Sequence, residues 1–151
     1  MKINKRKICF LTLAKQNSNR LKNKNILPFH GRPLIYWTIS KIKKISKYHY
    51  INTDSEFILN YAKKLKVRTI KRTPKLCGDN IPSRHLILNS FKQFPKNTYA
   101  VIHVQANSPN LTLSKIKKVY DLLMYTDVED IFSITSDGEI NGSIWGVTYK
   151  K

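Results

Sequence analysis

The chain has 151 residues, 41% of them hydrophobic, which suits one packed domain and excludes wholesale disorder. Its formal net charge is +19, so any partner that uses charge is anionic. No apolar run is long enough to span a bilayer.

The N-terminus "MKINKRKICFLTLAK" is basic and then apolar, like the start of a signal peptide. Its apolar run, Ile8 to Leu13, is too short for that purpose and no small-residue cleavage site follows it. Lys7 to Leu13 instead reads as a buried strand. "GRPLIYWTISKIKKI" reads as a helix with Pro33 in its first turn and Ile35, Thr38, Ile39 and Ile42 on one face. Tyr48 to Thr53 is a second strand ending at Asp54. Ser55 to Leu65 is a helix with Phe57, Ile58, Tyr61, Ala62 and Leu65 inward. "KVRTIKR" is a short third strand, and Pro82 opens a helix running to about Phe94. Tyr99 to Gln105 is a continuous, β-branched-rich strand. Thr112 is placed to cap "LSKIKKVYDLLMY", with Ile116, Val119, Tyr120 and Leu123 as the apolar stripe. Asp130 to Thr135 is a fifth strand and "SIWGVTY" a sixth.

Strands alternating with helices imply crossover connections. The expectation is one α/β domain over residues 1–151, a mainly parallel sheet covered on both faces. In such sheets ligands bind beyond the carboxyl ends of the strands. That rule selects the loop after Leu13, "NTDSE" after the second strand, and "QANSPNLT" after the Tyr99 strand.

The first loop, "LAKQNSNRLKNKN", holds Lys15, Arg20, Lys22 and Lys24 among amides, with no acid. Backbone N–H groups leaving a strand form an anion nest, and these cations could neutralise a triphosphate. The loop contains no glycine, so it is neither a Walker loop nor a dinucleotide fingerprint. On chemistry alone it fits a phosphate cradle or a solvated basic loop. The whole chain is basic, but unevenly so: no acid precedes Asp54, and six of the nine acids lie from Asp121 onward. The N-terminal half therefore carries a field that draws anions such as a nucleotide.

The loop resembles the signature of the cytidylyltransferases that activate sialic acids and related acidic sugars. Leu13, Ala14, Gln16, Asn17, Ser18, Leu21, Lys24 and Asn25 fit that signature in register. Lys15 stands where the family has Arg, and Asn19-Arg20 where Lys-Gly is usual. Four further segments resemble the family in order: "GRPLIYWTI", "INTDSE", "KRTPKLCGDNIPS" and "VQANSPNLT", the last with Leu111 in place of an Arg. The similarity runs from residue 7 to about 135.

The resemblance implies a three-layer α/β/α fold of the nucleotide-diphospho-sugar transferase type. It implies a reaction in which CTP and an acidic sugar give a CMP-sugar and pyrophosphate, with Mg²⁺ as cofactor and a homodimer as a possible assembly. By the same resemblance Lys15 and Lys24 are the catalytic cations. They, with Ser18, hold the triphosphate. Asn25 meets the ribose, Arg72 and Ser83 lie at the cytosine, and Gln105 and Ser108 face the sugar. The family's later portion carries a dimerisation insert and metal-holding aspartates. Asp127, Glu129, Asp130, Asp137 and Glu139 form no recognisable version of that motif, so the metal ligands stay unknown.

The remaining residues have plainer readings. Asp54 is read as the cap of the helix that starts at Ser55, and Asp79 as a turn residue. His103 is read as a packed histidine, and His30, His49 and His85 share no metal spacing with the cysteines. Cys9 and Cys77, without metal-ligand spacing, suit reduced thiols in a cytoplasmic protein. Two alternatives stand beside the enzyme: a nucleotide-binding remnant or subunit without catalysis, and a basic nucleic-acid-binding protein. Against the second, Tyr36, Trp37 and Tyr61 fall on helical faces that read as buried, leaving no stacking platform.

Overall fold

The computed structural model describes residues 6–17, 21–78 and 80–148. The elements run β1 (Lys7–Ala14), a hairpin of β2 (Pro28–Phe29) and β3 (Arg32–Pro33), α1 (Leu34–Lys43), β4 (His49–Thr53), α2 (Glu56–Lys64), β5 (Arg68–Lys71), α3 (Ser83–Phe91), β6 (Thr98–Val104), α4 (Leu113–Tyr125), β7 (Asp130–Ile134) and β8 (Ile140–Thr148). Short 3₁₀ turns occupy Lys24–Ile26 and Pro74–Leu76.

The main sheet has the order β5-β4-β1-β6-β8-β7. β5, β4, β1 and β6 run parallel, while β8 lies antiparallel to both β6 and β7. β1 is central because both its faces are apolar, and its residues alternate between two cores. Ile8 and Phe10 pack with Ile42, Ile102, Ile116 and Leu123 beneath α1 and α4. Cys9 and Leu11 pack with Tyr50, Ile87, Phe94 and Val101 beneath α3. A third cluster, Ala14, Ile35, Ile39, Ile51, Ile58 and Ala62, seats α1 and α2. The result is the three-layer α/β/α architecture. α4 reaches β8 at Gly146, where an added Cβ would lie 2.6 Å from Leu123 Cδ1.

The apolar stripes of α1 and α4 are buried as their periodicity requires: Ile35, Thr38, Ile39 and Ile42 in one, Ile116, Val119 and Leu123 in the other. Thr112 caps α4, accepting from Lys115 N at 3.3 Å. Four local expectations need correction. Pro33 is not in the first turn of α1; it closes the β2–β3 hairpin with extended backbone and precedes the helix. The cap of α2 is Ser55, whose side chain accepts from Ile58 N, and not Asp54. Phe57 is 50% exposed and stacks on Tyr61, because no element covers that part of α2; Leu59 is buried instead. Tyr36, Trp37 and Tyr61 are half-buried rather than buried. Asp79 lies outside the described residues.

Among the described residues no helix is long and apolar enough to cross a membrane. Cys9 is buried and Cys77 half-buried, both as free thiols.

Candidate functional site

The parallel strands end together, and the segments leaving β1, β4, β5 and β6 gather along that edge. Each piece is built by a local rule and then tied to a piece distant in sequence.

The loop after β1 turns back through Asn23, which adopts left-handed backbone with φ 56° and starts the 3₁₀ turn at Lys24. Asparagine tolerates that conformation better than most residues. The turn buries Asn25, which is 4% exposed. Its Nδ2 donates to the Lys15 carbonyl at 3.0 Å, so the two ends of the loop are pinned together. Its Oδ1 is buried and has no hydrogen-bond partner. A buried acceptor left unpaired is costly and marks a place where a donor belongs. Lys15 and Lys24 are half-buried; Lys24 directly precedes Asn25, and Lys15 is joined to it through its carbonyl. Ser18, expected at the triphosphate, lies outside the described residues, as do Asn19 and Arg20.

β4 supplies the next support. Asp54, freed from capping by Ser55, accepts from Gln16 N through Oδ1 at 2.8 Å. Two residues earlier Asn52 is fully buried; its Nδ2 donates to Ser90 Oγ at 2.8 Å, and Ser90 donates to the Leu86 carbonyl. Asn52 in turn holds Arg72, accepting from Nε at 2.6 Å on its side chain and from a terminal nitrogen at 3.2 Å on its carbonyl. Arg72 N also donates to the Thr53 carbonyl. Arg72 is thus a buried guanidinium, 6% exposed, fixed by amides. Burial pulls its pKa below the usual arginine value, and the Asp54 charge acts in the opposite direction. Ser83, expected beside it at the cytosine, is exposed at the first turn of α3.

The β6 side is built differently. Gln105 N donates to the Ser143 carbonyl of β8 at 3.0 Å. The Gln105 carbonyl accepts from Thr38 Oγ1 of α1 at 3.1 Å. Lys41, one turn further along α1, donates to the Pro109 carbonyl, and desolvation lowers its pKa. Gly142 sits at φ 63°, and a Cβ there would lie 3.4 Å from Gln105 Nε2. A cavity of about 360 Å³ opens beside this segment, lined by Asn107, Ser108, Asn110, Lys115 and Ser143 among others. That volume falls in the range of small-molecule sites, and its lining is mostly hydroxyl and amide.

Two histidines lie beneath the edge. His103 is 7% exposed beside Trp145, with both ring nitrogens unpaired, and burial pushes its pKa down to about 4. His49 shares a hydrogen bond of 2.9 Å with Thr12 Oγ1, and burial pushes it to about 3. Both are neutral at pH 7 and add no charge for a phosphate. His103 is packed, as its apolar strand implied.

Among the described residues no three His, Cys, Asp or Glu side chains converge on a common point. Asp54 is the one carboxylate placed at the β1 loop, and it is engaged by Gln16 N. The described residues therefore do not form a cage for Mg²⁺.

The structure brings Lys15, Lys24 and Asn25 together and joins them to Arg72 through the tip of β4. It sets Gln105 and Ser108 on a second support made by α1 and β8. Sequence reasoning missed Asn52, Ser90, Thr38, Lys41 and Gly142. Asn52 in the Tyr48 to Thr53 strand, and the Asn141-Gly142 pair ahead of "SIWGVTY", were the available signals.

Comparison with known proteins gives the same arrangement a family. An N-acylneuraminate cytidylyltransferase of Oncorhynchus mykiss is 26% identical over 132 residues, covering 86% of this chain and 30% of that protein. The chain therefore spans about a third of the length of such relatives. Two solved structures share the fold. A cytidylyltransferase from Leptospira borgpetersenii serovar Hardjo-bovis superposes with a TM-score of 0.74 at 20% identity, over 95% of this chain and 60% of that one. A CMP:2-keto-3-deoxy-manno-octonic acid synthetase complexed with CTP does so with a TM-score of 0.70 at 13% identity, over 83% and 51%. Residues 9–138, which contain the segments leaving β1, β4, β5 and β6, match the cytidylyltransferase family, and to that family the chain belongs.

Proposed function

We propose that the β1 side binds CTP and the β6 side an acidic sugar of the sialic type, and that the site joins them into a CMP-sugar with release of pyrophosphate. The observation that carries this is Asn25. Its carboxamide is buried and half-satisfied, bonded to the Lys15 carbonyl and next in sequence to Lys24 in an acid-free loop, and its empty oxygen suits a ribose hydroxyl donor. Lys15, Lys24 and Ser18 take the triphosphate. Arg72 and Ser83 take the base, and Gln105 and Ser108 the sugar.

The chemistry asks for position and charge more than for covalent help. A sugar hydroxyl oxygen forms the new bond to the α-phosphorus. The bond to the β-phosphate breaks and pyrophosphate departs with its electron pair, while the hydroxyl proton is released. Charge builds on the departing group, where Lys15 and Lys24 act as fixed cations. Lysine offers a point charge rather than a two-pronged guanidinium, so Lys15 leaves the phosphates freer than an arginine would.

Titration calorimetry with CTP tests the binding half; saturable 1:1 heat is expected, and its absence removes the reading. Pyrophosphate release with CTP, Mg²⁺ and N-acetylneuraminate tests the reaction. A second reading, nucleotide binding without turnover, rests on Asp54, the carboxylate at the β1 loop, being already engaged by Gln16 N. CTP binding with no turnover on a panel of acidic sugars would select it.

A further inference from the structure

We infer that Asp54 is a positioning residue of the nucleotide site, a bracket at the tip of β4 that fixes the β1 loop and the Arg72 guanidinium relative to one another. This rests on the CTP reading and deepens it.

Asp54 is the first acid of the chain, set among cations where a triphosphate is to bind. A carboxylate there repels the ligand, so electrostatics alone disfavours it. The adjacent Ser55 already performs the capping duty, so capping does not explain Asp54. The carboxylate instead accepts from Gln16 N at 2.8 Å, across 38 residues of sequence. A backbone N–H bound to a carboxylate is among the stronger hydrogen bonds.

The neighbours on the same strand tip complete the bracket. Asn52 holds the Arg72 side chain and Thr53 its backbone N–H, so three consecutive residues carry both the loop and the arginine. Asp54 also places its charge where it favours the ionised guanidinium. Without this residue the loop keeps the Asn25 bond to the Lys15 carbonyl but loses the bond that ties Gln16 N to the sheet.

The inference predicts a sign that charge alone does not. Asp54→Ala and Asp54→Asn are compared with wild type by CTP calorimetry, with thermal melts to confirm folding. Asp54→Ala should weaken CTP binding about tenfold, the scale of one lost hydrogen bond to a charged group, although it removes a repulsive charge. Asp54→Asn keeps an acceptor for Gln16 N and should bind within about threefold of wild type, or more tightly. Two tightened variants would show that the charge only repels, and two equally weakened ones that the acceptor is not what matters; either overturns the inference. Amide exchange at Gln16 keeps the two proposals apart. It should be slow in wild type and in Asp54→Asn and fast in Asp54→Ala. If wild type binds no CTP, the proposed function falls, and unchanged exchange in Asp54→Ala would bring the bracket down separately.

Discussion

The two ends of the candidate site are held in place by different means. On the proposed nucleotide side, Asp54 and Asn52 of one strand tip hold Gln16 N and the Arg72 side chain, and Asn25 holds the Lys15 carbonyl. On the proposed sugar side the local groups are amides and hydroxyls, and the fixing comes from outside, from Thr38 and Lys41 of α1 and from Ser143 of β8. A triphosphate is bound by charge, which is long-ranged and tolerates small displacements. A sugar is recognised by hydrogen bonds that fail within half an ångström, so its segment needs a rigid frame. The comparison can be broken at four points.

The largest expected effect is on stability and touches both sides. His49 lies in the strand that ends on the nucleotide side, His103 in the one that ends on the sugar side. Each is held neutral by burial, near 3 and 4 against an unfolded value of 6.5. A base whose folded pKa is depressed contributes fully above about pH 6.5 and loses that contribution as the pH falls towards 4. The loss should be on the order of 3 kcal/mol for His103 alone by pH 4. Melts between pH 7 and pH 4.5 should show a steep drop, shallower in His103→Gln; a flat profile would mean the imidazoles are not buried.

Next comes the nucleotide side by itself. Lys15→Ala with Lys24→Ala should weaken CTP binding about a hundredfold, near 3 kcal/mol, if each charge-assisted contact is worth 1.5. Gln105→Ala should leave CTP affinity unchanged. Equal losses in both variants would erase the division of labour.

A smaller effect is expected at Gly142. Alanine there must adopt left-handed backbone, with its Cβ in contact with Gln105 Nε2. The strain is about 1–2 kcal/mol. The sugar KM should rise while CTP affinity holds, and a fall in both would tie the sides more closely than the geometry does.

Thr38→Val should have the smallest effect, about 1 kcal/mol, from one hydrogen bond to the Gln105 carbonyl. It should raise the sugar KM with little change in melting temperature. A melting loss without a KM change would make Thr38 a core residue only.

Much of the frame was legible in the chain, for reasons these residues make plain. α1 and α4 show regular apolar stripes, and a stripe needs only local periodicity to be read. The order of the loop segments located the ligand edge, and residues 9–138 do match the family it suggested. The β2–β3 hairpin escaped because each strand is two residues long and carries a proline. Asp54 and Ser55 are both good caps side by side. What chose between them is Gln16 N, 38 residues away, a fact no local window contains. Arg72 posed the same difficulty, since its burial depends on Asn52 and Ser90 meeting across the α3 face. Phe57 misled in the opposite sense: it sits on the apolar stripe of α2, but the stripe runs past the end of what covers it.

One further consequence follows from the direction of β8. Because it runs against β6, its beginning rather than its end arrives beside Gln105. The turn that joins β7 to β8 therefore lies at the same end of the sheet as Gln105. That turn, residues 135–139, is exposed and is closed by Thr135 N to the Glu139 carbonyl and Gly138 N to the Thr135 carbonyl. Its length can change without shifting any strand, since inserted residues there cost only loop entropy that grows slowly with size. The fold thus carries a natural splice point: a segment added between Thr135 and Glu139 would emerge at the Gln105 end of the sheet and alter what fits the proposed acceptor pocket, while the proposed triphosphate cradle at the other end of the site stayed as it was.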